Sequence, residues 1–304
     1  MKAAMLARIL TLALSLFTGR ISAQDAATSH DKLFWRAIIE NKYQIPPDEK
    51  PLALARELSG YLASTDPELR DDLAYTILSV WIVRRQQFSS DELLQLEAEW
   101  STNLRTAIGE TGTDSVFRRS FSALCLSSIA ERELKTPFLG ENRYRKLLDS
   151  AIIYLGEEKD LRGFDASKGW IHATAHTADL LAALVANSLL TRRDLGTVLH
   201  AITARFTTAD TVFIYGEQDR LARVVSVIAT RPDFDSDAFR KWLAETDAAD
   251  QTVWKDSPPK LAALTRFQND SYMLRALIAQ LLQQPSSPAS LGIQKAVLKS
   301  LEQR

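Results

Sequence analysis

His172 and His176 stand four residues apart, and Asp179 follows three residues later. At about 100° per residue the three fall within about 60° of one another on a helical wheel, so they form one polar stripe. Two imidazoles at i and i+4 beside a carboxylate suit a divalent metal. His172 and His176 would supply nitrogens, Asp179 would add an oxygen or orient a ligand, and Asp165, Glu217 or Asp219 would complete the set from another element. The competing role is structural: an unpaired buried polar group costs about 1–3 kcal/mol, so the histidines could bond to carbonyls or acids of adjacent helices and fix their register. Arg162, Arg118 and Arg220 are the expected anchors for an anion, and Trp170, just after Gly169 and two residues before His172, is placed to roof a pocket. The zinc-protease motif is excluded, because the general-base Glu it needs directly after the first histidine is here Ala173. There is no G-x-S-x-G elbow and no phosphate-binding Gly-rich loop.

The elements that must carry this stripe are helices. Between Gly169 and Thr191 the only charged residue is Asp179, which predicts a helix buried nearly all round, with Ala175, Ala183 and Ala186 leaving room beside the stripe. Apolar residues recur at helical spacing through 32–43, 49–63, 67–85, 90–108, 114–134, 141–157, 169–189, 192–206, 216–230, 236–246, 259–283 and 288–302. No stretch alternates as a sheet strand would. Ser89 with Glu92 has the spacing of a capping box, and Asp66-Pro67 sets a cap ahead of a first-turn proline. Gly216 breaks the chain before Glu217, Asp219 and Arg220, so a helix should start there with acids in its first turn. Asp66, Asp114, Asp165, Asp219 and Asp270 recur at intervals of 48, 51, 54 and 51 residues, about one helical hairpin each. Either the spacing marks a repeat or acids simply favour helix starts. The expected fold is all-α: antiparallel helical hairpins stacked into an α–α superhelix of the HEAT or armadillo kind.

Composition bounds the rest. The 304 residues are 46% hydrophobic, enough for a large core, and 37 basic against 38 acidic residues give no surplus to attract nucleic acid. Lys2 and Arg8, the apolar run Ile9 to Phe17 and the small residues around Ala23 read as a signal peptide over 1–23, followed by one helical domain over 24–304. That apolar run is about half the length of a membrane span, and none is expected in the mature chain. The single cysteine, Cys125, lies among Phe117, Phe121, Leu124 and Ile129 and belongs to the core. Trp35, Trp81, Trp100, Trp242 and Trp254 are scattered, as core residues would be; Trp170 is the exception to watch.

Arg162-Gly163, followed by Gly169-Trp170-Ile171-His172 and by His176 and Asp179, resembles the signature of an uncharacterised bacterial family, domain of unknown function 2785. Leu69-Arg70-Asp71 through Trp81-Ile82, Val116 through Phe121, Gly216 through Ala222 and Leu274 through Leu277 resemble its other blocks in the same order. The resemblance implies a single helical domain and no particular activity. The leading functional expectation is an exported helical-repeat module, periplasmic or secreted, binding a protein or peptide of the cell envelope. The alternative is a metal-dependent hydrolase or small-ligand binder built on His172, His176 and Asp179.

Overall fold

The structure, a computed structural model, describes residues 30–284 and 288–304. The expected signal peptide lies outside the described residues. Residues 31–304 form one compact, all-α unit.

Its helices are α1 (Lys32–Glu40), α2 (Pro51–Tyr61), α3 (Thr76–Ser79), α4 (Ser90–Asn103), α5 (Ser115–Lys135), α6 (Glu141–Glu157), α7 (Ala173–Val185), α8 (Arg192–Thr208), α9 (Glu217–Ala229), α10 (Ser236–Asp250), α11 (Leu261–Leu282) and α12 (Pro288–Glu302). The short α3 is continued on both sides by π-helical turns, Glu68–Tyr75 and Val80–Arg84, so 68–84 runs as one rod. Local chemistry sets several starts as expected. Ser89 and Glu92 form a reciprocal capping box, and the Asp66 carboxylate accepts from Leu69 N ahead of the rod.

Successive helices pair as antiparallel hairpins. The rod and α5, α7, α9 and α11 pack side by side as one layer, and α4, α6, α8 and α10 back them. Because one returning helix separates each member of the first layer from the next, α5, α7, α9 and α11 run parallel, with their N-termini at one end of the stack. The loops entering them gather at that end. α7 sits centrally between α5 and α9, and every residue from Ala173 to Val185 except Asp179 is buried. This is the surround predicted for it. Trp35, Trp81, Trp100 and Trp242 are core residues, whereas Trp254 is exposed; Cys125 is buried, and burial pushes its thiol up.

Besides the exposed Trp254, two sequence expectations need correcting. The helix expected from 169 begins at Ala173, and the residues before it form a small antiparallel hairpin, β1 (Phe164–Asp165) and β2 (Gly169–Trp170). The aspartate spacing does not mark five helix starts. Asp66, Asp114 and Asp219 are at helix starts, Asp165 is in the hairpin, and Asp270 is buried in the middle of α11. No described helix is long and apolar enough to cross a membrane.

Candidate functional site

The site begins with how the β1–β2 hairpin is held down. Arg70, fully buried in the rod, donates to the carbonyls of Ser64 and Lys168 at 2.8 Å and of Trp170 at 3.3 Å. Its guanidinium lies over the rings of Phe117 and Phe121, 4.1 and 4.7 Å from their centroids, so α5 supplies the apolar support. At the other edge Gly163 fits where no side chain could. A Cβ there would lie 2.4 Å from Tyr215 Cδ2 and 2.6 Å from Glu217 Oε1. The Gly163 carbonyl in turn accepts from the amides of Ile171 and His172, at 2.9 and 3.2 Å. This clamp draws His172 into a left-handed conformation, φ 50°, at the N-cap of α7. Such a conformation is uncommon for a residue with a side chain, and here it turns the imidazole toward the loop before α9.

The two histidines are then fixed in opposite tautomers. His172 Nε2 lies 3.0 Å from the carbonyl oxygen of Tyr215, which can only accept, so Nε2 carries the hydrogen. The Ser120 hydroxyl donates to the Ile171 carbonyl, so toward His176 Nδ1, 2.8 Å away, it must accept; the hydrogen of His176 is on Nδ1. His172 Nδ1 and His176 Nε2 are left as lone pairs. Neither makes a hydrogen bond among the described residues and neither is sealed from solvent, although the two residues are only 5% and 4% exposed. Burial, reinforced by Arg220 and opposed by the Tyr215 contact, lowers the His172 pKa to about 4. His176 is held well below its ordinary value by burial, with His172, Arg220 and Arg70 acting in the same direction. Both imidazoles are neutral at physiological pH.

They open on a cavity of about 440 Å³. α7 and its approach give Trp170, His172 and His176; the rod gives Asp71 and Tyr75; α5 gives Phe121 and Leu124; Tyr215, Gly216, Asp219 and Arg220 close the α9 side. Trp170 stacks on His172, with centroids 4.3 Å apart and planes 26° apart, and is edge-on to Phe164 at 4.8 Å. The indole remains 43% exposed and Tyr215 44% exposed, so the rim is aromatic and open. Asp71 forms a charge contact with Arg70, Nε to Oδ1 2.6 Å, without the alignment of a hydrogen bond. Burial outweighs that contact and raises its pKa to about 6.

Of the residues expected from sequence, Trp170, His172, His176, Asp219 and Arg220 line this cavity. Asp179 lines an adjoining chamber, where its carboxylate is ion-paired with Arg220; its pKa is raised by burial against the pull of that arginine. Glu217 packs behind the wall, accepting from Tyr215 N at 2.9 Å, and burial raises its pKa. Asp165 closes the hairpin turn by accepting from Ser167 N and Lys168 N, and Arg162 is bound to Asp160 and the Thr113 carbonyl. Neither of the last two lines the cavity. His172, His176 and Asp179 are therefore not gathered as a ligand set: among the described residues no three His, Cys, Asp or Glu side chains stand as a metal would need them. Asp71, Tyr75, Ser120, Phe121 and Tyr215 were not singled out from sequence. They lie 39 to 105 residues from the histidines along the chain, with no spacing rule to connect them, although Asp71, Tyr75, Ser120 and Phe121 fall inside the blocks of resemblance.

The fold and site together define a helical-hairpin protein with a polar cavity where the first-layer helices begin. A family model described as protein of unknown function (DUF2785) matches residues 104–279, more than half of the chain, and the protein belongs to that family. The match spans α5 to α11 and with them both histidines, the hairpin and the α9 wall. No curated protein and no solved structure matches the chain.

Proposed function

We propose that this protein is a small-ligand binding protein whose site is the cavity lined by His172 and His176. The carrying observation is the pair of neutral imidazole nitrogens, His172 Nδ1 and His176 Nε2, left without partners where an open cavity begins. Each imidazole is oriented through its other nitrogen, so the two acceptors are held in place before a ligand arrives, which lowers the ordering cost of binding. The cavity falls in the size range of small-molecule sites and has the usual make-up, aromatic walls with a few converging polar groups. The ligand group that meets the histidines is a hydrogen-bond donor.

We further propose that the binder is exported. Lys2, Arg8, the apolar run Ile9 to Phe17 and the small residues before Gln24 support this. The open groove described below could also take a peptide segment of an envelope protein, as the repeat-module expectation holds.

Thermal-shift measurements on wild type and His172→Asn test the site, using neutral polyols, simple amides, tetramethylammonium and acetate as probes. A ligand at about ten times its Kd adds about 1.4 kcal/mol, or a few degrees in Tm. At least one neutral donor should raise the wild-type Tm and leave the variant unmoved. If no probe shifts the wild type, or the same shifts persist in His172→Asn, the cavity is not the binding site.

A further inference from the structure

Resting on the cavity reading above, we infer that the ligand is a neutral oligosaccharide, with one sugar ring stacked on the Trp170 rim and its hydroxyls donated to His172, His176 and the neighbouring carboxylates.

The charges around the cavity select against other ligands. Burial is the main force against protonating either imidazole, with Arg220 adding to it at both and His172 and Arg70 adding at His176, and a desolvated ammonium group or metal cation placed at their lone pairs meets the same opposition. An anion fares no better. It would meet two lone pairs together with the carboxylates of Asp71 and Asp219, while Arg220 is already paired with Asp179. What remains is a neutral group that donates hydrogen bonds repeatedly, and hydroxyls do this. Asp71, Asp219 and the imidazoles are acceptors for several hydroxyls at once.

The aromatic rim supplies the second half of the recognition. Trp170 is fixed in orientation by its stack on His172, and Phe164 stands between it and Tyr215, 4.8 and 6.3 Å from their ring centroids. Large flat side chains held part-exposed at the mouth of a polar cavity offer an apolar face without a rotamer cost. A pyranose ring matches this division: its C–H face stacks on an indole while its edge presents hydroxyls. An amide or a simple alcohol would satisfy the imidazoles but leave the rim unused.

The extent of the groove argues for more than one ring. The cavity continues into a chamber of about 870 Å³, and the two share Tyr75, Leu124, His176, Asp219 and Arg220. Ala182, Ala183 and Ala186 keep that chamber wide, and Glu131, Arg223 and Gln280 give it further hydrogen-bonding groups. One monosaccharide at Trp170 leaves this second chamber empty; a linear chain fills both.

Calorimetric titration of the full chain with maltotetraose, cellotetraose and tetra-N-acetylchitotetraose tests the inference, with each parent monosaccharide, N-methylacetamide and tetramethylammonium as comparison probes. At least one tetrasaccharide should bind, about tenfold or more tighter than its monosaccharide, and Trp170→Ala should weaken it about tenfold. Trp170 lies outside the core, so the variant is expected to keep the wild-type circular dichroism. If the amide or the ammonium ion binds in a His172-dependent way and no tetrasaccharide does, the ligand class is wrong while the binding site stands. If no probe of any kind binds, both fail. Tetrasaccharide binding that ignores Trp170→Ala also overturns the stacking assignment.

Discussion

At the scale of single residues, His172 combines three unusual states: a left-handed backbone, a buried ring and a pKa lowered to about 4. These have a measurable consequence for stability. Above pH 6.5 the imidazole is neutral in both folded and unfolded chains. As the pH falls from about 6.5 toward 4 the unfolded chain takes up a proton that the folded one refuses, so the contribution of His172 to stability is lost across that window. Asp71, raised to about 6, acts in the opposite sense: its folded form holds a proton longer than the unfolded chain does, and stability from this source falls as pH rises from about 4 to 6. The two are separated by a difference measurement. His172→Asn tolerates the left-handed conformation and cannot titrate. The Tm advantage of wild type over this variant should shrink steadily as the pH falls from 6.5 toward 4.5. A constant difference would show that the imidazole is not held neutral by the fold. The histidine stripe was legible in the sequence because charge is otherwise missing from α7. The tautomers were not, because they are set by Ser120, Ile171 and the Tyr215 carbonyl, contacts that no local pattern encodes.

At the scale of elements, the helices were readable and the hairpin that positions the site was not. Eleven-residue and longer apolar periodicities located α4 through α12 to within a few residues, since one buried face per helix is a property of local sequence. The β1–β2 hairpin has two residues in each strand, too few to show any alternation, and its position depends on Gly163, Gly169 and the distant Arg70. Gly169 has φ +77° and Gly163 has no room for a methyl group, which gives the two glycines of the Arg162-Gly163 and Gly169-Trp170 blocks separate physical reasons to be there. Gly163→Ala should therefore push Tyr215 and Glu217 out of place. A loss of about 2 kcal/mol or more in chemical denaturation is expected, with higher Tyr and Trp exposure at the rim. Gly156→Ala, in α6 with nothing within 4 Å of the added carbon, is the control and should be neutral or slightly stabilising. Equal stability of the two variants would contradict the tight seating of the hairpin.

At the scale of the molecule, the stack brings together residues from four separate helices that sequence spacing could not connect. Asp71 from the rod, Phe121 from α5, His176 from α7 and Arg220 from α9 share one wall because the first-layer helices run parallel and begin at the same end. The hairpin architecture was legible from composition, periodicity and short polar joins. The cavity was not, because it depends on which faces of neighbouring hairpins meet. The metal expectation shows the same limit: the sequence placed His172, His176 and Asp179 on one stripe, but α9 delivers Arg220 to Asp179 and turns that carboxylate into an ion pair.

The most direct test is the long-range ¹H–¹⁵N spectrum of the imidazoles in uniformly ¹⁵N-labelled protein near neutral pH. The chain has only four histidines, so the spectrum can be assigned with single His→Asn variants. His172 should appear neutral with its hydrogen on Nε2, and His176 neutral with its hydrogen on Nδ1, each showing one lone-pair nitrogen that shifts when a ligand is added. An imidazolium at either position, or a tautomer that ties the cavity-facing nitrogen into the fold, would contradict the two open acceptors on which the binding site rests.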